Sequence, residues 1–514
     1  MAKDPTSEFA SPASATLAGG NSGSAAVAPT TGFFGHPRGL ATLFFTEFWE
    51  RFSYYGMRAL LILYMTAAVD RGGLGFSDSR SGAIYGLYTA FVYLLALPGG
   101  WIADQLLGQR RAVFLGGCII ALGHFSLAVE SITFFYLGLV LIVIGTGLLK
   151  PNISTMVGEL YPEGGARRDA GFSIFYMGIN LGAFVAPLVC GPLGQRVNWH
   201  WGFAAAGFGM VIGLIQYVIQ GKHLGNAGLR PNAAGDPVAR RKTFQILIGA
   251  LVLTALAAAL AASGAIRVSV EALAGATGVV IVGLALLYLT VQLVAGGLDA
   301  TEKKRMLVIF VLFIFSAIFW SGFEQAGSSL NLFAERLTDL NVFGRNMPAS
   351  VLQAVNPILI IALAPVFAWL WVRLARANRE PSAPTKFSLG LILLGLGFGV
   401  MVWASILTSG QTRQVGPSWL ILTYLFHTCG ELCLSPVGLS TVTKLAPQRK
   451  VGQMMGIWFM SVSLGNLMAG LVAGRFESLP LPQIFGTVMA VTAGAGLVLA
   501  LFIKPIRNMM SGVR

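Results

Sequence analysis

From Thr42 to Ile503 the chain is a succession of apolar runs separated by short polar stretches. Spanning the hydrocarbon core of a bilayer as a helix takes about 20 apolar residues. Runs of that kind lie at roughly 40–68, 82–103, 112–129, 133–157, 170–192, 201–220, 244–263, 272–296, 305–325, 350–372, 387–408, 418–443, 452–474 and 483–503. They predict fourteen transmembrane helices, numbered here as spans 1–14. Transmembrane strands would show segments of about ten residues with alternating hydrophobicity, and these runs do not alternate. The pattern therefore reads as an all-α polytopic membrane protein.

The longest break, 221–243, is rich in Gly, Pro and basic residues, and a second polar boundary falls at 296–305. Together they divide the spans into six, two and six. Two six-helix halves are the frame of a large class of secondary transporters. The expected organisation is a disordered tail at 1–38 and an N-terminal six-helix bundle at 39–220. A basic linker with an extra helix pair follows at 221–300, then a C-terminal six-helix bundle at 301–505 and a tail at 506–514. The extra pair has almost no polar side chain within its apolar runs and reads as packing or scaffold. No cleavable signal precedes the first span, because the opening residues lack a basic segment leading into an apolar one.

Composition agrees with this reading. Of the 514 residues 55% are hydrophobic and 11% charged, with a mean hydropathy of +0.72, against about a quarter charged in soluble proteins. The net charge of +14 raises the question of nucleic acid, but a nucleic-acid binder gathers its charge into one patch or stripe. Here the basic residues sort by loop parity. Loops after even-numbered spans, with the C-terminal tail, hold 22 Lys and Arg, and loops after odd-numbered spans hold eight. Basic loops face the cytoplasm, so both termini are expected inside. Cys118, Cys190, Cys429 and Cys433 all lie in apolar segments without disulfide spacing. Cys429 and Cys433 share a helical face, but two thiols without nearby His or carboxylates make a poor metal site, so no metal or cofactor is expected.

An ionised side chain near the bilayer centre costs at least about 2.5–3.5 kcal/mol, which makes it a functional candidate by default. Span 1 carries Glu47, Glu50, Arg51, Tyr54, Tyr55 and Arg58. At about 100° per residue, Glu47, Arg51, Tyr54 and Arg58 share a stripe roughly 60° wide. Two acids and two bases can neutralise each other in pairs and still leave a carboxylate to take a proton when its partner moves. An inert clasp between helices would need fewer groups. Lys150 lies toward the cytoplasmic end of span 4, where snorkelling to the interface is the bland alternative. Glu324, near the end of span 9, and Glu431, mid-span 12, have no basic neighbour in their own spans. Gly430 and Pro436 suit a helix that bends or breaks near Glu431. Asn180 and Asn356 are weaker signals, since buried amides also join helices, and His124 and His427 read as core histidines.

These charges set a positive wall (Arg58, Lys150) in the first half against a negative wall (Glu324, Glu431) in the second. A zwitterion such as a short peptide fits that polarity, with its carboxylate toward Arg58 and Lys150 and its ammonium toward Glu431.

The residues resemble the proton-dependent oligopeptide transporter family of the major facilitator superfamily. The stretch Glu47-Phe48-Trp49-Glu50-Arg51-Phe52-Ser53-Tyr54-Tyr55-Gly56 is similar to that family's ExxERFxYYG motif. Residues 99–123, with Gly100, Asp104, Gly108 and Arg110, resemble its first signature, and Phe175 to Gly182 its second. The likeness continues through Gln353 to Pro357, the Glu431 segment and Gly456 to Phe459, and the extra pair is similar to that of bacterial members. The resemblance implies a symporter importing di- and tripeptides with protons by alternating access, in the inner membrane and as a monomer. It implies proton coupling and gating by Glu47, Glu50 and Arg51 together with Lys150. Tyr55, Arg58 and Lys150 would hold the peptide carboxylate, Tyr93 and Asn180 the peptide backbone, and Asn356 and Glu431 the amino terminus. Glu324 would take up the proton, exchanging partners with Arg58, while Trp320 and Trp458 would shape side-chain pockets. Where animal members have a histidine in span 2 this chain has Gly86, which leaves proton transfer to carboxylates. The rival within the family is another solute, such as nitrate, a drug or a peptide-like antibiotic. A membrane enzyme would need a nucleophile with its base, or metal ligands, and neither pattern is found. A scaffold without transport would leave the buried charges unexplained.

Overall fold

The computed structural model describes residues 32–163, 165–229, 237–263, 268–342, 344–408 and 413–512. Most of the tail expected at 1–38, part of the linker at 230–236, and residues 513–514 lie outside them. The chain is almost wholly helical: α1 (Arg38–Thr66), α2 (Asp78–Leu94), α3 (Ala96–Ile102), α4 (Gln109–Leu127), α5 (Ile132–Glu159), α6 (Gly165–Pro192), α7 (Trp199–Gln220), α8 (Pro237–Ala262), α9 (Val270–Ala295), α10 (Ala300–Phe323), α11 (Ser329–Leu337), α12 (Val355–Arg376), α13 (Ala383–Leu407), α14 (Ser418–Leu445), α15 (Val451–Ala473), α16 (Leu481–Leu501) and α17 (Ile503–Met509). Among the described residues, twelve helical segments are long and apolar enough to cross a membrane by length and composition. The remaining two predicted spans correspond to α1, which carries the charged cluster, and α8.

The first half packs α1 against α6 and α7, and α4 against α5 and α7. The second half packs α13 against α14 and α16, and α10 against α15. Two seams join the halves: α2 lies against α15, and α6 against α12. This is the two-bundle major facilitator arrangement, with α8 and α9 added. Between the seams stand α1 and α5 from one bundle and α10 and α14 from the other. Helices α1, α5 and α14 carry Arg58, Lys150 and Glu431, and Glu324 follows directly on the last residue of α10.

The α2–α15 seam is close because its contact residues are glycines. Gly82 sits directly on the backbone of Gly470. A Cβ on Gly86 would lie 2.9 Å from the Leu467 carbonyl oxygen and 3.3 Å from the Gly470 Cα. Small residues four apart let helix backbones approach in this way. Just beyond them the Ser463 hydroxyl donates to the Ala90 carbonyl at 2.9 Å. The same packing leaves no space at Gly86 for a histidine.

Helix α9 covers this seam, burying Ala274, Ile281 and Ala285 against α2 and α15. Its other faces present Val279, Val280, Leu287 and Val294, between 56% and 82% exposed. A helix that is apolar all round and still exposed belongs in lipid, and the chain is an integral membrane protein.

Four sequence expectations change. Span 9 does not end at 325: α10 runs through a 3₁₀ turn at Glu324–Gly327 into α11, so the crossing extends over Ala300–Leu337. Glu324 therefore sits inside the crossing, where the helix is interrupted, and not near its end. Conversely α14 continues through Pro436 from Ser418 to Leu445, so of the bend or break expected near Glu431 the break is ruled out. Residues 506–512 are not a free tail, because α17 packs on α10 and α13, and Ile506 and Met510 are buried. At the other end, residues 33–36 close a turn in which His36 Nδ1 lies 2.8 Å from the Tyr161 hydroxyl, and Arg38 already belongs to α1.

Candidate functional site

The charged face of α1 is buried throughout, with Glu47, Glu50, Arg51 and Arg58 each no more than 5% exposed. The 3.6-residue period that aligned them in the sequence turns all four inward. Arg51 Nε lies 3.0 Å from Glu47 Oε1 and also pairs with Glu50. Glu47 Oε2, Glu50 Oε1 and Arg51 Nη2 are buried without a hydrogen-bond partner among the described residues. Buried charges left with unused valences are costly, and here both a donor and acceptors remain unpaired. Lys150 stands within electrostatic reach of Arg51 as well as of Glu50, Glu47 and Glu324, its ammonium 3.9 Å from the centroid of the Tyr93 ring. That distance is in the range of a cation–π contact.

One turn or two further along α1, Arg58 leaves its own bundle. Its Nη2 donates to Glu324 Oε2 at 2.6 Å across the gap between the halves. Its Nε donates to the Tyr85 hydroxyl at 2.7 Å, and its guanidinium lies 5.6 Å from the Tyr55 ring centroid. Glu324 caps the C-terminal end of α10 and opens the 3₁₀ turn. The resulting bend brings Gly327 against Arg58 and Tyr85.

In the second bundle Glu431 is 9% exposed. Asn356 Nδ2 donates to its Oε2 at 3.3 Å and to Thr428 Oγ1 at 2.9 Å. Glu431 lies within electrostatic reach of Glu324 and of Tyr55. Trp320 is 9% exposed, and its indole N–H has no partner among the described residues. Asn180 spends a donor on the Tyr176 carbonyl of its own helix, at 3.0 Å. Trp458 is buried edge-on against Phe387 and packs on Gly438.

The structure thus draws the sequence candidates into four groups: Glu47, Glu50 and Arg51; Arg58, Glu324 and Tyr55; Lys150 and Tyr93; Asn356 and Glu431. The first three neighbour one another electrostatically, and the fourth joins them through Glu324. Trp458 is placed in the packing between α13, α14 and α15.

Sequence reasoning missed Tyr85 and the contacts that shut one end of the gap. On the side of the odd-numbered loops, Arg336 Nη1 and Nη2 donate to Asp78 Oδ2 and Oδ1 at 2.9 and 2.7 Å, with Glu477 3.4 Å away. Gln195 accepts from the Ser350 N–H and hydroxyl at 3.0 and 2.6 Å and donates to Glu335 at 2.8 Å. Asn331 Nδ2 reaches the Ala59 carbonyl at 2.9 Å. On the opposite side, Arg110 bonds the Gly225 and Ala227 carbonyls of its own half, and Arg449 bonds Gly297 and Glu302. The one signal that pointed to this latch was the amphipathic, charge-bearing stretch 329–337, which an apolar-run reading discards.

Comparison with known proteins agrees with this arrangement. Residues 110–486 match the model of the POT family. The chain is 42% identical over 497 residues to the peptide transporter YePEPT of Yersinia enterocolitica, covering 94% of this chain and 97% of the relative. It is 36% identical over 490 residues to the di-/tripeptide transporter of Lactococcus lactis subsp. cremoris, covering 94% and 98%. A crystal structure of a peptide transporter POT in complex with sulfate superposes with a TM-score of 0.88 at 43% identity, over 95% of this chain and 99% of that one. With the motif-bearing helices, the two-bundle fold and these matches in agreement, this chain belongs to the proton-dependent oligopeptide transporter (POT) family.

Proposed function

We propose that this protein is a proton-coupled symporter that imports di- and tripeptides by alternating access across the bacterial inner membrane, with both termini cytoplasmic. It works as a monomer in the bilayer, needs no cofactor and performs no chemistry on its substrate. The observation that carries the reading is the Arg58–Glu324 bond, a single charge-assisted contact between the bundles at the centre of the crossing. The names of the relatives in Yersinia and Lactococcus support peptides as the cargo. Bridging of the odd-loop side, set against the intra-bundle contacts of Arg110 and Arg449, supports an inward-facing arrangement.

In the cycle, a proton on Glu324 releases Arg58, and the bundles rock apart on the outer side. The peptide carboxylate takes the place of Glu324 at Arg58, assisted by Lys150 and Tyr55. Tyr93 and Asn180 meet the peptide backbone, Asn356 and Glu431 receive its ammonium group, and Trp320 bounds a side-chain pocket that Trp458 supports from the packing behind it. Glu47, Glu50 and Arg51 open and close the face of α1 beside Lys150. After inward opening the peptide leaves, the proton escapes to the more alkaline cytoplasm and Glu324 recaptures Arg58. Moving one charge along the field gains about 2.3 kcal/mol per 100 mV, enough with a pH gradient to concentrate a neutral dipeptide more than about tenfold.

The test is Glu324→Gln in proteoliposomes. Proton-driven dipeptide uptake should vanish while peptide–peptide counterflow persists. Equal loss of both would remove the coupling role.

A further inference from the structure

Arg58 has two partners of different kinds, and the difference has a mechanistic consequence. Glu324 is ionic and belongs to the opposite bundle, whereas Tyr85 is neutral and stands on α2, in the same bundle as Arg58. Tyr85 is fully buried, and its hydroxyl accepts from Arg58 Nε at 2.7 Å. Arginine grips a carboxylate most tightly through two adjacent N–H groups, and the Nε–Nη2 edge is one of its two bidentate edges. Here Tyr85 occupies Nε, and Glu324 is held through Nη2 alone. Gly327 lies on the other side of the node: a Cβ there would lie 2.8 Å from Nε and 3.0 Å from Nη2 and would collide with the Tyr85 hydroxyl. A glycine there leaves the node open on that side, so it is the Tyr85 hydroxyl on Nε that keeps Glu324 from swinging onto that nitrogen.

We infer that Tyr85 is a positioning residue for coupling: by holding Arg58 Nε it restricts the Arg58–Glu324 bridge to one nitrogen, so that the bridge can exchange for a substrate carboxylate. Because the phenol is neutral, it steadies the guanidinium without cancelling its charge. Because it shares a bundle with Arg58, it keeps that anchor while Glu324 moves away with the other bundle. This inference rests on the peptide-symport reading given above.

Two measurements test it. Equilibrium binding of a dipeptide is compared for Tyr85→Phe in the wild-type and Glu324→Gln backgrounds. Freed at Nε, Arg58 should close on Glu324 with two bonds, and affinity should fall about tenfold, the worth of one charge-assisted hydrogen bond. In the Glu324→Gln background there is no ionic competitor and the same change should have little effect. An equal loss in both backgrounds, or no loss in either, overturns the inference. The second measurement needs no peptide. Spin labels at Val69 and Arg345, in a background lacking the four free cysteines, report the distance between the bundles on the outer side. Tyr85→Phe should shift the distribution toward the closed state, and an unchanged distribution or a shift toward the open state overturns the inference. Failure of the wild type to bind any dipeptide would refute the peptide reading, and the distance measurement would still decide the role of Tyr85.

Discussion

Replacing Asp78 with asparagine should release the outer side of the transporter. Asp78 lies in the first turn of α2 and Arg336 in the last turn of α11, so each charge also sits at the helix end whose dipole favours it. The Asp78 side chain is 2% exposed and that of Arg336 28%. Breaking one partner of a fully buried pair costs about 3–5 kcal/mol. Water reaches the arginine side, and screening there reduces the figure to about 2 kcal/mol. Because this pair exists only when the bundles meet, the loss falls on the closed state alone and shifts the closed-to-open ratio about 30-fold. The spin-label pair at Val69 and Arg345 reads that ratio directly as two distance populations. Glu477→Gln supplies the control: it removes a partner 3.4 Å from Arg336 that is 61% exposed, and exposed pairs contribute little. The exchanged pair Asp78→Arg with Arg336→Asp should recover only part of the closed population, since each charge then opposes its helix dipole. If Asp78→Asn moved the distribution no further than Glu477→Gln, the latch would not be holding the outer side shut.

Two other outcomes follow from the site and the seam. Glu431→Gln should weaken binding of a free dipeptide by about ten- to a hundredfold and leave an N-acetylated dipeptide unchanged in competition against a labelled peptide; equal effects on both would separate Glu431 from the amino terminus. Gly86→His, with its Cβ pressed 2.9 Å from the Leu467 carbonyl, should lower the thermal unfolding midpoint of the purified protein by several degrees, whereas Gly275→Ala, which meets nothing within 4 Å, should not change it.

The positions of most spans were legible because lipid imposes one simple requirement, about twenty apolar residues in a row. The same requirement made Glu47, Glu50, Arg51, Arg58, Lys150 and Glu431 conspicuous, since the bilayer penalises each of them. What stayed hidden was polar structure that belongs to the other bundle. Stretch 329–337 reads as a loop because Asn331, Glu335 and Arg336 interrupt it, yet these residues bond Ala59, Gln195 and Asp78. Hydropathy along one segment cannot register a partner 140 or more positions away. Truncating span 9 there in turn misplaced Glu324 near an interface. Tyr85 was passed over for a different reason. A tyrosine inside an apolar run reads as packing, and only coordinates reveal that its hydroxyl is spent on an arginine. Residues 506–514 looked like a tail because Lys504, Pro505 and Arg507 interrupt a short helix whose buried positions, Ile506 and Met510, are too few to show a period.

The two ion pairs Arg58–Glu324 and Arg336–Asp78 differ in what can dissolve them. Both cross between the bundles, so outward opening must break both in one motion. Asp78 is held by two nitrogens at the end of the gap, and its bond breaks and reforms with the motion itself. Glu324 is held by one nitrogen inside the gap, where a single proton removes the ionic attraction and a peptide carboxylate can replace it. The latch therefore sets how strongly the outer side is shut by default, and the inner bond sets which events overcome it. Strengthening the latch should slow opening for every substrate alike. Strengthening the inner bond should penalise, above all, those substrates whose carboxylate competes with Glu324 for Arg58. Coupling in this protein thus depends on keeping the inner bond the weaker and more exchangeable of the two, which is the property that the Tyr85 hydroxyl supplies.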